Sequence, residues 1–383
     1  MPDIKSSVEL RSEKSASKAV SRIPWARPKF SGGEHDYVTE AISSTWISGG
    51  PFVDRFEHDV AEYTGSHFGV SSSNGTTALH MALLALSVGP GDEVVVPGFA
   101  FMAAANVCLH LKAKPVFADV DPLNWCLTAS DVEKCISQNT KAIIPVHTYG
   151  NVCQMDDIVA LAQSKSIAVV EDAAEAFGSC YRHRQAGSMG LLGTFSFHAT
   201  KTITTGEGGM VIANDSELRD RLLLFRNHGM RRTRYWHEVP GHNFRLTNLQ
   251  AAMGCAQLER IDQIIAARRR VEASYRKHLL NMPGVSMQHF GPDVQSVVWA
   301  MAVRLDPQAY PQGRDEVIRR LDEAGIETRN GFYAASMLPH LYQSEKLPIC
   351  EDLSRNILSL PTYCDLSDQE IEFICSRLGE LRS

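Results

Sequence analysis

Lys201 ends the run Phe195-Ser196-Phe197-His198-Ala199-Thr200-Lys201, and the glycine-dense stretch Thr204-Thr205-Gly206-Glu207-Gly208-Gly209 follows at once. A short β-rich run that delivers one lysine to a pliable loop can hold an amine against a flat, phosphorylated aldehyde. An amine taken out of water has a lowered pKa and can form a Schiff base with such a carbonyl, the entry to pyridoxal 5'-phosphate (PLP) chemistry. A lone lysine is more often a solvated surface charge, so the reading depends on what other segments supply.

Four segments supply different parts. Ser72-Ser73-Asn74-Gly75-Thr76-Thr77-Ala78-Leu79 reads as a strand end, a tight turn and a helix start. Backbone N–H groups of Gly75 and Thr76 at a helix N-terminus suit an anion; ordinary capping by Asn74 or Thr76 accounts for the same residues. No Gly-Lys-Ser/Thr closes this loop, and no Gly-x-Gly-x-x-Gly follows the first strand, so neither a Walker loop nor a Rossmann dinucleotide site is indicated. Val96-Pro97-Gly98-Phe99-Ala100-Phe101 lies where a strand gives way to a helix; spacing favours Phe101 as a ring stacker, against a plain core role. Val169-Val170-Glu171-Asp172-Ala173-Ala174-Glu175 runs an apolar strand straight into acids. A carboxylate there is costly to bury without a cationic partner, and a protonated pyridine nitrogen is one. Asp172 is assigned that role, with Glu171 facing away and Glu175 one helical turn later; an acidic helix cap is the plainer alternative. Ser196 offers the phosphate a hydroxyl. Asn243 and Arg245 alternate in the extended segment Gly241–Leu246, so both point one way and suit phosphate or pyrophosphate, unless the segment merely caps the next helix.

The elements that position these residues follow from periodicity. Strands are expected at Phe68–Ser71, Glu93–Val96, Pro115–Ala118, Ala142–Val146, Ala168–Glu171, Thr194–Phe197 and Gly209–Ile212. Helices between most of them predict an α/β fold with a mostly parallel sheet covered on both faces. Two helices, Glu34–Ser44 and Phe52–Tyr63, precede the sheet. One long helix is expected from Thr247 to Leu280, bridging to a smaller α+β domain with a strand Ser296–Leu305 and helices Arg314–Ala324 and Asp368–Leu378. The expected division is a flexible extension 1–22, a large domain 23–262 and a small C-terminal domain 263–383.

Bulk properties exclude other classes. Net charge is -6 over 383 residues, which argues against nucleic acid as a partner. No apolar run spans a bilayer and the start lacks a signal-peptide core, so no membrane partner is expected. Nine scattered cysteines without Cys-x-x-Cys spacing indicate neither a disulfide framework nor a metal site, and suit a cytoplasmic location.

Taken together, the chain resembles the nucleotide-sugar aminotransferases of the DegT/StrS type, from about residue 24 to 380. The motifs are Ser73-Asn74-Gly75-Thr76, Pro145-Val146-His147-Thr148-Tyr149-Gly150, Glu171 to Glu175, Ser196-Phe197-His198 to Lys201 with Thr205–Gly209, and Gly241-x-Asn243-Phe244-Arg245. The resemblance implies a fold-type I PLP-dependent transferase, like aspartate aminotransferase in architecture. It implies that Lys201 carries the cofactor and shuttles protons, and that Asp172 pairs with the ring nitrogen. Gly75, Thr76 and Ser196 would hold the phosphate, Phe101 would stack on the ring, and Glu175 would lie at the cofactor. Asn243 would reach the partner subunit's site, making a homodimer with shared active sites. Arg245, His198 and Tyr333 would contact substrate. Tyr235-Trp236-His237-Glu238 and Gln257-Leu258-Glu259-Arg260 look most similar to GDP-perosamine synthases, which implies L-glutamate as donor, a GDP-linked 4-keto-6-deoxy sugar as acceptor, and a product for O-antigen or another surface glycan. Gly331-Phe332-Tyr333-Ala334-Ala335-Ser336 departs from the Phe-Tyr-Pro-plus-histidine pattern of such relatives. Alternatives are another UDP- or dTDP-linked ketosugar, a sugar 3-dehydratase (disfavoured because those carry histidine in place of Lys201), and a non-catalytic PLP-binding regulator, disfavoured by the lack of a DNA-binding module.

Overall fold

A computed structural model describes residues 22–341 and 346–383. Apart from Arg22, which pairs with Asp322 at 2.5 Å, the expected N-terminal extension lies outside the described residues. Seven strands form the main sheet: β1 (Phe68–Ser72), β2 (Glu93–Pro97), β3 (Lys114–Ala118), β4 (Thr140–Ile143), β5 (Ala168–Asp172), β6 (Leu192–Ser196) and β7 (Gly209–Ala213). Their spatial order is β1-β7-β6-β5-β4-β2-β3. Pairs β2/β3, β2/β4, β4/β5 and β5/β6 are parallel, and β7 runs antiparallel to both neighbours. All seven expected strands are present, because apolar β-branched runs buried on both faces leave little choice. The order of strands places the C-terminal ends of β5 and β6 side by side, which brings Asp172 and Ser196 to one edge.

Two buried apolar clusters hold the chain together. The larger one packs the main sheet between its helices, with Phe56, Val95, Ile143, Val170 and Phe197 fully buried. The second joins Val271, Tyr275 and Leu279 to Val303, Val317, Leu358 and Ile371, and includes Ile23 from the opposite end of the chain. Its sheet orders strands Val285–Met287, Met301–Leu305, Ile357–Leu360 and Arg329–Asn330, with antiparallel neighbours.

Two expectations are corrected. The helix expected from Thr247 to Leu280 is two helices, Asn248–Leu258 and Ile261–Leu279. Arg260 breaks it, with φ -113° and ψ 16°. There the side chains turn aside to bind the N-terminal segment: Gln257 donates to the Lys29 carbonyl at 3.1 Å and Arg260 to Ser31 Oγ at 2.7 Å. The expected strand Ser296–Leu305 begins only at Met301. Residues before it bond out of register, Val297 N to Ser179 Oγ at 2.8 Å and Trp299 N to the Tyr149 carbonyl at 3.0 Å. Those bonds anchor Trp299 for the site described next.

Candidate active site

The phosphate end is built at the N-terminus of the helix Gly75–Ala85. Asn74 caps it, accepting from Thr77 N at 2.9 Å while Thr77 Oγ1 accepts from Asn74 N at 3.1 Å. This capping box satisfies the third N–H and leaves those of Gly75 and Thr76, which have no intrahelical acceptor, for an anion. Ser196, at the end of β6, lies directly opposite: a Cβ built on Gly75 would stand 2.8 Å from Ser196 Cβ. Gly75 is therefore required by space. The two residues form a narrow cradle that a methyl group would fill.

The acids sit at the end of β5. Asp172 is 4% exposed, and its Oδ1 accepts from Ala174 N at 3.1 Å. Burial raises its pKa; the Ala174 N–H and the charge of Lys201 pull it back. Glu171 faces away as expected. It is fully buried, accepts from His147 Nε2 at 2.9 Å, and ties the 187–190 loop through Gly187 N at 2.8 Å. Cys153 N donates to His147 Nδ1 at 3.3 Å, so the proton on Nε2 is the one given to Glu171. Glu175 is 4% exposed and accepts from Tyr149 N at 2.7 Å. Burial pushes its pKa up to about 7, opposed by Lys201 and the Tyr149 N–H, and Asp172 adds to the rise.

Lys201 completes the cluster. Burial lowers its pKa, and Glu175 and Asp172 oppose that fall. Its amine lies 3.6 Å from the centre of the Trp299 ring. Trp299 is held by its indole N–H, which donates to the Thr200 carbonyl at 3.0 Å. Arg268 donates to the Lys201 carbonyl at 3.1 Å and so fixes the loop from behind. Tyr149, Trp299 and Phe332 form a stack, with Tyr149 and Phe332 5.0 Å apart and 6° from parallel. Tyr149 takes a left-handed backbone, φ 59°, to present both its N–H and its ring.

The structure thus brings together Gly75, Thr76 and Ser196 at one end and Asp172, Glu175 and Lys201 at the other. Phe101 is 61% exposed and meets Phe332 edge-on at 6.2 Å, which leaves its face open. His198 sits at the start of the lysine loop, half-buried, with Nδ1 3.0 Å from Thr200 Oγ1. Asn243 and Arg245 do point the same way, and Arg245 Nε donates to Asn243 Oδ1 at 3.1 Å. Their exposed segment joins the cradle through Ser73 N, which donates to the Phe244 carbonyl at 2.8 Å. Tyr333 is not brought to the cluster: it is exposed and lies near the Arg314 guanidinium, while its neighbour Phe332 turns inward. Trp299, Tyr149, Phe332 and Arg268 were missed. Trp299 and Arg268 meet the lysine loop across 99 and 67 residues of sequence, and only the Tyr149-Gly150 motif carried a local sign.

A buried acid at the end of β5, a lysine with a suppressed charge and free N–H groups at a helix start facing the Ser196 hydroxyl fit PLP. Fold and site define the class, a fold-type I PLP-dependent sugar aminotransferase. The chain belongs to the DegT/DnrJ/EryC1/StrS aminotransferase family, whose model matches residues 29–379. It is 42% identical to the GDP-perosamine synthase of Caulobacter vibrioides over 366 residues, 94% of this chain and 98% of that one. It is 41% identical to the GDP-perosamine synthase of Escherichia coli O157:H7 over 364 residues, 94% and 99% of the two chains. Among solved structures it is similar to the PLP form of the putative sugar aminotransferase Spr1654 from Streptococcus pneumoniae, with TM-score 0.88 and 26% identity, covering 94% of this chain and 98% of that one.

Proposed function

We propose that this enzyme moves an amino group from L-glutamate to the keto carbon of a GDP-linked 4-keto-6-deoxy sugar, for a surface glycan. The observation that carries the amino-transfer reading is the buried cluster of Lys201 with Asp172 and Glu175 at the end of β5. The likeness to two GDP-perosamine synthases supports the choice of sugar and nucleotide. A cytoplasmic homodimer with shared sites fits the nine scattered cysteines and the exposed Asn243 segment.

Bound PLP supplies an electron sink for the carbanion formed when a proton leaves the donor's α-carbon. The chain's residues do the rest. Gly75 and Thr76 N–H groups and the Ser196 hydroxyl hold the phosphate. Asp172, ionised once a cationic ring nitrogen lies beside it, would hold the proton on that nitrogen. Lys201, with its charge suppressed by burial, takes the α-proton as a neutral amine and returns it on the other side of the reaction. Trp299 covers one side of that amine. Phe101 offers its open face to the ring, Asn243 contributes to the partner's site, and Arg245 and His198 face the nucleotide-sugar.

The test is a panel of nucleotide-linked 4-ketosugars with L-glutamate, read by product mass. Amination of the GDP-linked sugar in preference to UDP- and dTDP-linked ones is expected. The reverse preference would overturn the choice of nucleotide while leaving amino transfer intact.

A further inference from the structure

A cavity of about 210 Å³ shares Lys201 with the site above but none of Gly75, Phe101, Asp172, Glu175 or Ser196. It lies between the N-terminal segment, the break between the helices Asn248–Leu258 and Ile261–Leu279, and Cys364. Its wall is basic: Arg27, Lys29, Arg260 and Arg268 line it with Lys201, and no Asp or Glu is among the lining residues.

These charges are poorly met by the protein. Arg268 is 5% exposed, yet its acceptors are backbone carbonyls only: Val298 and Trp299 at 3.3 Å and Lys201 at 3.1 Å. Its Nε is buried with no acceptor among the described residues. Arg260 gives its donors to Ser31 Oγ and Gln263 Oε1, both neutral oxygens. Arg27 lies over the Tyr363 ring at 4.8 Å. Among the described residues none of these three guanidinium groups has a carboxylate within ion-pair distance; Lys29 alone has one, Asp365 at 2.5 Å. A buried cation without a counter-ion is costly, and like charges round one cavity add to the cost. An anion removes both penalties. Guanidinium groups match the oxygens of a phosphate best, through paired, charge-assisted hydrogen bonds.

The geometry points to a phosphate-binding site in this cavity, filled by inorganic phosphate or by the diphosphate of a nucleotide. Arg268 ties the site to catalysis, because the same guanidinium holds the Lys201 carbonyl. The inference rests on the proposed function only in that the test uses protein whose cofactor cradle is filled.

Cofactor-loaded enzyme in phosphate-free buffer is titrated with inorganic phosphate by calorimetry. One saturable site per chain is expected, weakened about tenfold or more in Arg260→Gln, the weight of one charge-assisted hydrogen bond. Added potassium chloride should weaken it further. No saturable binding, or equal affinity in wild type and Arg260→Gln, overturns the site. Arg27→Gln, at an exposed position, serves if Arg260→Gln fails to fold. GDP in place of phosphate separates the sources. If phosphate competes with GDP and Arg260→Gln weakens both, the site takes the nucleotide's diphosphate. If Arg260→Gln weakens phosphate alone, it takes free phosphate. Cofactor absorbance and the half-reaction with glutamate are read in the same samples, so failure of this site is distinct from failure of the functional reading.

Discussion

Replacing Gly75 by alanine isolates the phosphate cradle from the rest of the fold. The added Cβ would stand 2.8 Å from Ser196 Cβ and 3.4 Å from Ser196 Cα and Oγ. Carbon atoms need about 3.5–4.0 Å, so the helix start and β6 must part by about 1 Å. Gly75 has no positive φ, so the backbone accepts alanine and the strain is steric. That shift withdraws the Gly75 N–H and the Ser196 hydroxyl from the phosphate. Each charge-assisted hydrogen bond contributes about 1.5–3 kcal/mol, and partial loss of two should weaken PLP binding by about 2–3 kcal/mol, about 30- to 150-fold in Kd. The assay is titration of apoenzyme with PLP, followed by visible absorbance. Overpacking lowers apoenzyme stability by about 1–3 kcal/mol, so the variant should still fold. Removing the opposing side chain in Gly75→Ala/Ser196→Gly should recover the lost apoenzyme stability but not the affinity, because the Ser196 hydroxyl goes with it. PLP affinity equal to wild type in Gly75→Ala would refute the cradle.

Three further outcomes follow from the same geometry. Glu175 has a folded pKa of about 7, above its ordinary value of 4.5. A raised acid favours folding below the unfolded pKa and loses that advantage as pH climbs through the folded one, so apoenzyme should lose about 3 kcal/mol between pH 4.5 and 7 from this group. Glu175→Gln should flatten that part of the urea-unfolding pH profile, and parallel profiles would count against the buried acid. Asp172→Asn should keep PLP bound but slow the glutamate half-reaction by about a hundredfold or more, since an amide cannot hold the ring nitrogen protonated; an unchanged single-turnover rate would reassign the ring acid. If sites are shared, mixing Lys201→Ala with Asn243→Ala chains should regain activity that neither parent has, because one site in a mixed dimer is intact; no gain on mixing would sink the shared-site reading.

The sheet was legible because its strands are short apolar runs with little freedom to be anything else. Asp172, Ser196 and Gly75 were legible for a related reason: each sits where a strand ends, and strand ends converge in an α/β sheet. The break at Arg260 was hidden because it depends on Lys29 and Ser31, more than 200 residues away. Trp299 was hidden inside an apolar stretch that reads as strand, and nothing local says its ring meets Lys201. Tyr333 was expected at the substrate, whereas packing against Tyr149 turns its neighbour Phe332 inward. Arg268, in the basic run Arg268-Arg269-Arg270, is buried against the lysine loop, a contact that nothing local in the sequence marks.

The central claim is that Lys201 bears the cofactor and moves the proton. The most direct measurement is borohydride reduction of PLP-loaded enzyme, followed by peptide mass mapping, with Lys201→Ala alongside. The account predicts the cofactor's mass added at Lys201, and in the variant no such adduct and no 2-oxoglutarate formed from L-glutamate. An adduct on another lysine, or full transamination by Lys201→Ala, would contradict it.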